Sequence, residues 1–299
     1  MATIETGAAS TTPEAPSRLR RVLHAIGLLR ESRIAMLGAV LVLFWVAMAL
    51  LAPVLPLLDP NTPLEPFKGL GGVAKDGETV FWLGTDHKGR DVLARLVWGS
   101  QRVLVWATLA TAVAYVVGML MGVAAGYLGG WWDEAISFVA NVLLSFPVMV
   151  LYIVIIGALG ASGANIVLAV TFASAPGIMR IVRGLVLDLK TRDYVFAAQT
   201  RGESAWWIML VELLPNARGP LIVDACLRLG YTVITIAMLG FLGLGLPPPD
   251  PDWGAMIAEA VPTGAFALHA MVVPALAVSS LVLGFNLLAD GLREISLRD

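Results

Sequence analysis

Long apolar runs alternate with short polar stretches along this chain, and six runs are long enough to cross a lipid bilayer. A membrane-spanning helix needs about 20 predominantly apolar residues. Six segments meet this requirement, at about residues 34–55, 103–128, 135–159, 164–181, 221–246 and 268–288. Glycine and proline inside these runs fit the interpretation, because membrane helices tolerate both. The pattern therefore predicts an all-α polytopic membrane protein with six transmembrane helices.

The composition also favours lipid as the environment of this chain. The 299 residues are 58% hydrophobic and 14% charged, and the mean hydropathy is +0.81. A soluble domain carries about 25% charged residues, so a water-soluble fold of this size is implausible. The net charge of −2 gives no indication of nucleic-acid binding. The single cysteine, Cys226, excludes an internal disulfide and a cysteine-based metal cage.

Basic residues set the expected orientation, because cytoplasmic loops are enriched in lysine and arginine. They concentrate before the first run, between the fourth and fifth runs, and after the sixth. Both termini are therefore predicted to be cytoplasmic. The resulting organisation is a partly disordered N-terminal segment (1–33), a six-helix domain (34–295) with external loops at 56–100 and 247–267 and cytoplasmic helices at 187–215, and a short tail (296–299).

The stretch between the fourth and fifth runs has the turn chemistry of two short helices. Thr191 is a suitable N-cap, Gly202 suits the left-handed residue after a helix, and Ser204 is a second N-cap. Pro215 is expected to end the second helix. Trp206 and its neighbour suit a membrane interface. By patterning alone, the segment is an interfacial amphipathic hairpin.

Two charged residues lie inside the fifth run. Arg228 follows Asp224 by four residues, so both occupy one helix face and can form an ion pair. An arginine within the bilayer costs about 2.5–3.5 kcal/mol and should face protein or water. Two interpretations stay open: a structural pair that stabilises the bundle, or an Arg228 that lines a pathway and meets the carboxylate of a passing substrate.

No sequence motif indicates catalysis. Walker A, His-Glu-x-x-His and Gly-x-Ser-x-Gly patterns are absent, and the residues form no convincing metal cluster. The chain is therefore predicted not to be an enzyme, and an active pump built on it must borrow an ATPase.

The 194–220 stretch resembles the EAA motif of ABC importer permeases. Ala197 and Ala198, then Gly202, then Leu214 and Pro215 have the family's spacing, although Phe196 replaces its usual glutamate. In that family the segment is the coupling helix that docks into a cytoplasmic ATPase. The resemblance implies that the ATPase-docking residues are Tyr194, Phe196, Ala197, Ala198, Arg201, Gly202, Trp206, Leu214 and Pro215.

Further stretches resemble the C-type subunits of dipeptide and oligopeptide permeases. They include "LGTDHKGRDVLARLVWGSQ" (83–101), "GYLGGWWDEAISFVANVLLSFP" (126–147) and "GFLGLGLPPPDPDWGAMI" (240–257). The resemblance covers about residues 34–295 and implies a type I ABC importer permease fold. The stiff proline loop and the loop before the second helix are then expected to contact the partner permease or the binding protein, through Asp86, Arg90, Asp91, Pro248, Trp253 and Gly254.

The family resemblance also implies the partners. A homologous B-type permease subunit would complete the pathway, two ATP-binding subunits would carry ATP and Mg, and an external solute-binding protein would deliver substrate. This chain would itself bind no cofactor and would lie in the bacterial cytoplasmic membrane. The expected function is import of dipeptides or oligopeptides by alternating access. Alternatives are import of nickel or a metal chelate, an opine or another small amide compound, or a channel or membrane scaffold.

Overall fold

Helices dominate the computed structural model, which describes residues 32–296, with side chains up to Glu294. The predicted terminal segments lie almost entirely outside these residues. The helices are α1 Arg33–Leu51, α2 Val92–Leu128, α3 Gly130–Ser145, α4 Val148–Leu159, α5 Gly163–Leu189, α6 Asp193–Thr200, α7 Ala205–Trp207, α8 Leu214–Asn216, α9 Arg218–Phe241, α10 Trp253–Ala260 and α11 Leu268–Ser296. A π-helical turn, Ile208–Leu213, and a 3₁₀ turn, Val261–Thr263, complete them, and β1 (Gly72–Val73) pairs antiparallel with β2 (Val80–Phe81).

Within residues 32–296, five helices are long and apolar enough to span a membrane: α1, α2, α5, α9 and α11. The predicted third span is not one straight helix. It divides into α3 and α4, which meet at 90° and make a sixth span only if counted together. Phe146 is extended at the break (φ −80°, ψ 137°) and Pro147 has no N–H to continue the helix. The polytopic all-α prediction is confirmed, and this bend is its main correction.

A ridge of glycines on α2 packs against α5. A Cβ at Gly118 would lie 2.6 Å from Ile178 Cβ, and one at Gly122 would lie 2.6 Å from Val182 Cβ. Gly126 repeats the contact one turn later, against Val186. Small residues at this spacing let two membrane helices approach closely. Helices α2 and α5 therefore pack closely along this ridge.

Both predicted external loops are partly helical. The first ends at Asp91, whose carboxylate accepts a hydrogen bond from Ala94 N at 2.9 Å and starts α2. Residues 92–100, expected to be loop, are thus the first turns of a 37-residue helix. The second loop contains α10. These two segments lie at the same end of the bundle, because α10 packs against α2 and α11.

Candidate functional site

Residues 193–216 form two short helices joined by a tight turn. We call this whole segment the coupling hairpin. The first helix ends in a Schellman motif: Gly202 N donates to Gln199 O at 2.9 Å and Glu203 N to Ala198 O at 3.2 Å. Gly202 has φ +79°, which confirms the predicted glycine turn. Ser204 Oγ accepts from Trp207 N, as predicted, but the first N-cap is Arg192 rather than Thr191.

The second helix of the hairpin is less regular than the sequence suggests. It passes from α7 through the π-helical turn Ile208–Leu213 into α8. Pro215 does not end it, because α8 reaches Asn216 and α9 begins two residues later. Proline is accommodated here because it stands in the first turn of α8, where its missing N–H costs least.

One face of the coupling hairpin packs into the membrane bundle. Its residues there are fully buried and join a core cluster with α2, α5 and α9; they are Val195, Ala198, Ile208, Met209 and Leu213. Leu214 is partly buried against the same cluster. Ala198 and Leu214 were predicted as docking residues, and the structure corrects this: both face the bundle. The hairpin is therefore in direct contact with the membrane-spanning helices α2, α5 and α9.

The opposite face of the hairpin is uncovered and apolar. Phe196 is 52% exposed and Trp206 62% exposed, and Trp207, Leu210 and Val211 are exposed beside them. Ala197, Gly202 and Pro215 are also exposed, whereas Tyr194 is half-buried. Arg201 Nη2 lies 3.2 Å from Glu212 Oε1, so this arginine ties the two helices across the turn.

The ion pair expected inside the fifth span is present. Arg228 Nε donates to Asp224 Oδ2 at 2.7 Å on α9. The same carboxylate oxygen accepts from the hydroxyl of Tyr115 on α2, and the oxygen of that hydroxyl lies 3.2 Å from Leu221 O. The carboxylate thereby holds the arginine by one nitrogen. The Nη groups lie beside Gly177 of α5, where a Cβ would be 3.5 Å from Nη2.

A polar cavity lies next to this guanidinium. It has a volume of about 300 Å³ and is lined by Arg228 together with Leu144, Val148, Tyr152, Ala173, Ser174, Gly177, Tyr231, Thr232 and Thr235. Leu144 and Val148 flank the break between α3 and α4, so the bend forms one wall. Hydroxyl groups from three helices and one arginine converge on a space inside the bundle, the composition expected of a small-solute site.

The opposite end of the molecule carries a charged junction, defined here as Asp86, Lys88, Arg90 and Glu259. Arg90 pairs with Asp86 Oδ2 at 2.6 Å and with Glu259, while Lys88 Nζ lies 2.9 Å from Glu259 Oε1. Arg90, expected to contact a partner, is thus engaged by carboxylates of its own chain. Asp86 and Asp91 are 8% and 5% exposed, so their carboxylates hold this chain together rather than offering contacts to a partner.

Two other predicted external contacts are also internal. Trp253 is fully buried rather than interfacial, and its Nε1 donates to Leu96 O at 2.9 Å. Gly254 is buried so tightly that a Cβ would overlap the carbonyl oxygen of Ala237. Pro248 is exposed, so its partner contact stays a prediction. The side chain of Trp253 thus anchors this loop to α2.

Two carboxyl groups at this end, those of Asp252 and Glu259, have pKa values shifted in opposite directions. Asp252 is fully buried, and burial raises its pKa although three backbone N–H groups bind it, from Leu246, Gly254 and Ala255. Burial alone would also raise the pKa of Glu259, but hydrogen bonds and charge from Lys88 and Arg90 bring it below its usual range. Glu259 is therefore a firmly ionised partner of the two cations.

Asp86, His87 and Glu259 form a group whose ligand atoms lie within 4.8 Å of one another, a spacing that suits a metal ion. The carboxylate oxygens are already engaged, however. Both Asp86 oxygens accept from Arg90 or backbone N–H groups, and both Glu259 oxygens accept from Lys88 or Arg90. A guanidinium between two carboxylates repels a divalent cation, so we assign no metal here.

Several residues that shape these sites were missed at the sequence level. Tyr115 and Glu259 contribute across more than 100 residues of sequence, so no local pattern relates them to Asp224 or Arg90. Asp252 stands directly before a helix, and its N-cap position was the available signal. Arg95 is 4% exposed. It was missed because residue 95 was predicted to lie in an external loop.

Comparison with known families decides the class of this protein. Residues 114–298 match the family described as "Binding-protein-dependent transport system inner membrane component". The chain belongs to this family. The match includes the coupling hairpin, the Arg228 cavity and the charged residue Glu259, so the family recognised in the sequence is confirmed. The chain is accordingly a permease component and a multi-pass membrane protein.

Curated relatives and one solved structure are consistent with this membership. The chain is 39% identical over 216 residues, 72% of each chain, to the glutathione transport system permease protein GsiD of Pectobacterium atrosepticum. It is 36% identical over 265 residues to GsiD of Escherichia coli, and 33% identical over 266 residues to the dipeptide transport system permease protein DppC of Alkalihalophilus pseudofirmus. Both alignments cover 89% of this chain and 86% of the relative.

The structural neighbour is an inward-facing form of the MetNI methionine ABC transporter. Its chain superposes with a TM-score of 0.56 at 21% identity, covering 68% of this chain and 97% of the neighbour. At this identity the likeness concerns the fold, and it confirms an ABC transporter permease fold for the helical bundle.

Proposed function

We propose that this chain is the membrane-spanning subunit of an ATP-driven, binding-protein-dependent importer of short peptides in a bacterial cytoplasmic membrane. The coupling hairpin carries the proposal. It exposes Phe196 and Trp206 on one face and buries Val195 and Leu213 against the bundle on the other. An uncovered aromatic surface on a short hairpin is the kind of site that another protein covers.

The buried face supplies a mechanical link. Val195, Ala198 and Ile208 pack in one cluster with Val182 and Val186, which belong to α5. An ATPase that closed while bound to the hairpin would displace the end of α5 together with it. Two ATP-binding subunits would carry ATP and Mg, and a homologous B-type permease would supply the other half of the pathway. Differential binding of ATP and of the solute-binding protein to the two states would drive the switch.

The peptide class rests on two observations. Relatives that share most of the chain are named for glutathione and dipeptide transport. Independently, Arg228 faces a polar cavity of about 300 Å³ inside the bundle, and peptides carry a carboxylate that a guanidinium binds well. We infer that Arg228 lines the pathway and that Asp224 positions it. Import of a metal chelate or an opine remains the alternative for the same machinery.

The test is ATP hydrolysis by the complex of this chain with its partner subunits, reconstituted in lipid. Solute-binding protein loaded with glutathione or a dipeptide is expected to raise hydrolysis, and unloaded protein to raise it much less. If the purified chain assembles with no ATPase, the importer proposal is wrong. If the ATPases respond only to a loaded metal chelate or opine, the importer stands and the peptide is replaced.

A double variant separates the two roles of the ion pair. Arg228→Gln is expected to lower peptide import about tenfold or more, because a charge-assisted contact is lost. Adding Asp224→Asn should restore the stability that the single variant loses but not import. Recovery of import in the double variant would instead assign the pair a structural role. Arg180→Gln is the control, because Arg180 is an exposed arginine on α5 that contacts Asn141.

A further inference from the structure

A second, larger cavity opens at the end of the molecule opposite the coupling hairpin. Its volume is about 580 Å³, within the range of small-molecule sites. The walls come from the start of α2, the end of α9 with the loop that follows it, and α10. Its polar lining includes Asn61, Arg90, Arg95, Asp250 and Glu259, with Pro248 at the loop. This cavity is separate from the one beside Arg228.

The charges on its wall are paired unequally. Arg90 is neutralised by Asp86 and Glu259, and Asp250 lies 2.9 Å from Arg102 Nη2. Arg95, by contrast, makes no salt bridge with any residue that the structure describes. Asp86, Asp252 and Glu259 attract Arg95 only from beyond salt-bridge distance, so its guanidinium has no direct carboxylate partner among the described residues.

The surroundings of Arg95 make this charge costly unless something binds it. The side chain is 4% exposed and its Nε is buried with no acceptor among the described residues. Its one hydrogen bond, from Nη1 to Pro60 O, is long at 3.4 Å. A buried cation without a close partner is destabilising. Buried arginines are normally paired, so an unpaired one on a cavity wall indicates a ligand that arrives from outside.

We propose that this cavity binds a small carboxylate-bearing solute, with Arg95 as the residue that holds the carboxylate. A guanidinium binds a carboxylate through two parallel hydrogen bonds. The cavity accepts a molecule of dipeptide size, whereas an acidic side chain of a partner protein would fill only a small part of it. Asp250 stands on the same wall, and its second carboxylate oxygen offers an acceptor for a protonated amine. Since this end is the predicted external face, the site would receive solute before it reaches Arg228.

The inference rests on the proposed function only for the nature of the solute, and its test needs neither ATP nor a solute-binding protein. The assembled complex in lipid nanodiscs is titrated with isotope-labelled L-alanyl-L-alanine and with the corresponding C-terminal amide, and binding is measured by equilibrium dialysis. The dipeptide is expected to bind at least about tenfold more tightly than its amide, the ratio typical of one charge-assisted contact. Equal affinities would overturn the proposal.

Variants locate the site. Arg95→Gln is expected to weaken dipeptide binding about tenfold or more, Arg95→Lys to weaken it less, and Ala258→Trp, which fills the cavity, to abolish it. Arg192→Gln, at the opposite end and already paired with Asp188, should leave binding unchanged. If Arg95→Gln fails to assemble, the amide comparison and Ala258→Trp still decide the question.

The outcomes also separate this site from the importer itself. Unchanged dipeptide binding in Arg95→Gln overturns the proposal, and so does an effect confined to docking of the solute-binding protein, which would make Arg95 a partner contact. A complex that binds dipeptide through Arg95 without peptide-stimulated ATP hydrolysis would refute the proposed function and leave the site standing.

Discussion

The two ends of this molecule are held together in opposite ways. The coupling hairpin gets its shape from local turn chemistry, in which Gly202 and Ser204 satisfy neighbouring backbone groups, and it leaves Trp206 and Phe196 uncovered. The other end is built from long-range contacts, such as Arg90 with Glu259 and Trp253 with Leu96, and it buries the carboxylate of Asp252.

This difference separates a part suited to being moved from a part suited to staying rigid. Local hydrogen bonds let the hairpin keep its own shape while it shifts as a unit. Long-range polar contacts fix the relative positions of α2, α10 and the loop before α2, because breaking any of them leaves a buried polar group unsatisfied. The comparison therefore predicts that substitutions at the two ends have different consequences: loss of folding at one, loss of partner binding at the other.

The largest effect is expected at Asp252. Asp252→Ala removes the acceptor of three backbone N–H groups in a fully buried position, and should lower the free energy of unfolding by about 2–4 kcal/mol. Asp250→Ala, two residues away and partly exposed, should change it by about 1 kcal/mol or less. Denaturant unfolding of the purified protein in detergent measures both. Similar losses from the two variants would contradict the interpretation that this end is the rigid part of the molecule.

The next effect concerns partner binding. Trp206→Ala should weaken association with the ATPase subunits about tenfold, as expected for an aromatic residue at the centre of an interface, and should leave unfolding within about 0.5 kcal/mol. Trp82→Ala is the matched control, because Trp82 is 71% exposed at the opposite end. Binding titrations with purified ATPase decide the matter. An equal loss from both tryptophans would contradict a specific docking face.

The smallest effect is expected at the turn. Gly202→Ala places a side chain at φ +79°, which should cost about 1 kcal/mol through backbone strain alone, since a Cβ there meets no neighbour. Gly184→Ala, in α5 with equally open space, should be neutral or slightly stabilising. Hydrogen exchange at residues 198–210 should accelerate only in the first variant. Unchanged exchange there would mean that tertiary contacts, not the turn, hold the hairpin.

Much of the fold could be predicted because its signals are local. The apolar runs identified every long helix that the structure describes. Thr191 and Pro215 were misjudged as helix boundaries because capping preferences compete over one or two residues. The break at Pro147 was missed because the run from 135 to 159 is apolar throughout. An apolar composition does not reveal a change in the direction of the helix axis.

The candidate sites were predictable only in part. Asp224 and Arg228 stand four residues apart on one helix, so their pairing followed from helical geometry. Tyr115, which completes that pair, and Glu259, which completes the charged junction, come from distant segments. Trp253 was wrongly predicted as a contact to a partner because an aromatic residue in a proline-rich loop looks the same in sequence whether it faces outward or packs inward.

The sequence alone determined that the chain is helical and membrane-bound, where a glycine turn separates two short helices, and to which family it belongs. These properties depend on composition, periodicity and residue spacing, which the chain carries in one dimension. Only the tertiary structure decided which face of the coupling hairpin is uncovered, which carboxylates form internal pairs, and that Arg95 has no salt bridge to any residue that the structure describes. Those properties depend on which distant segments meet, since burial and charge compensation are set by neighbours in space.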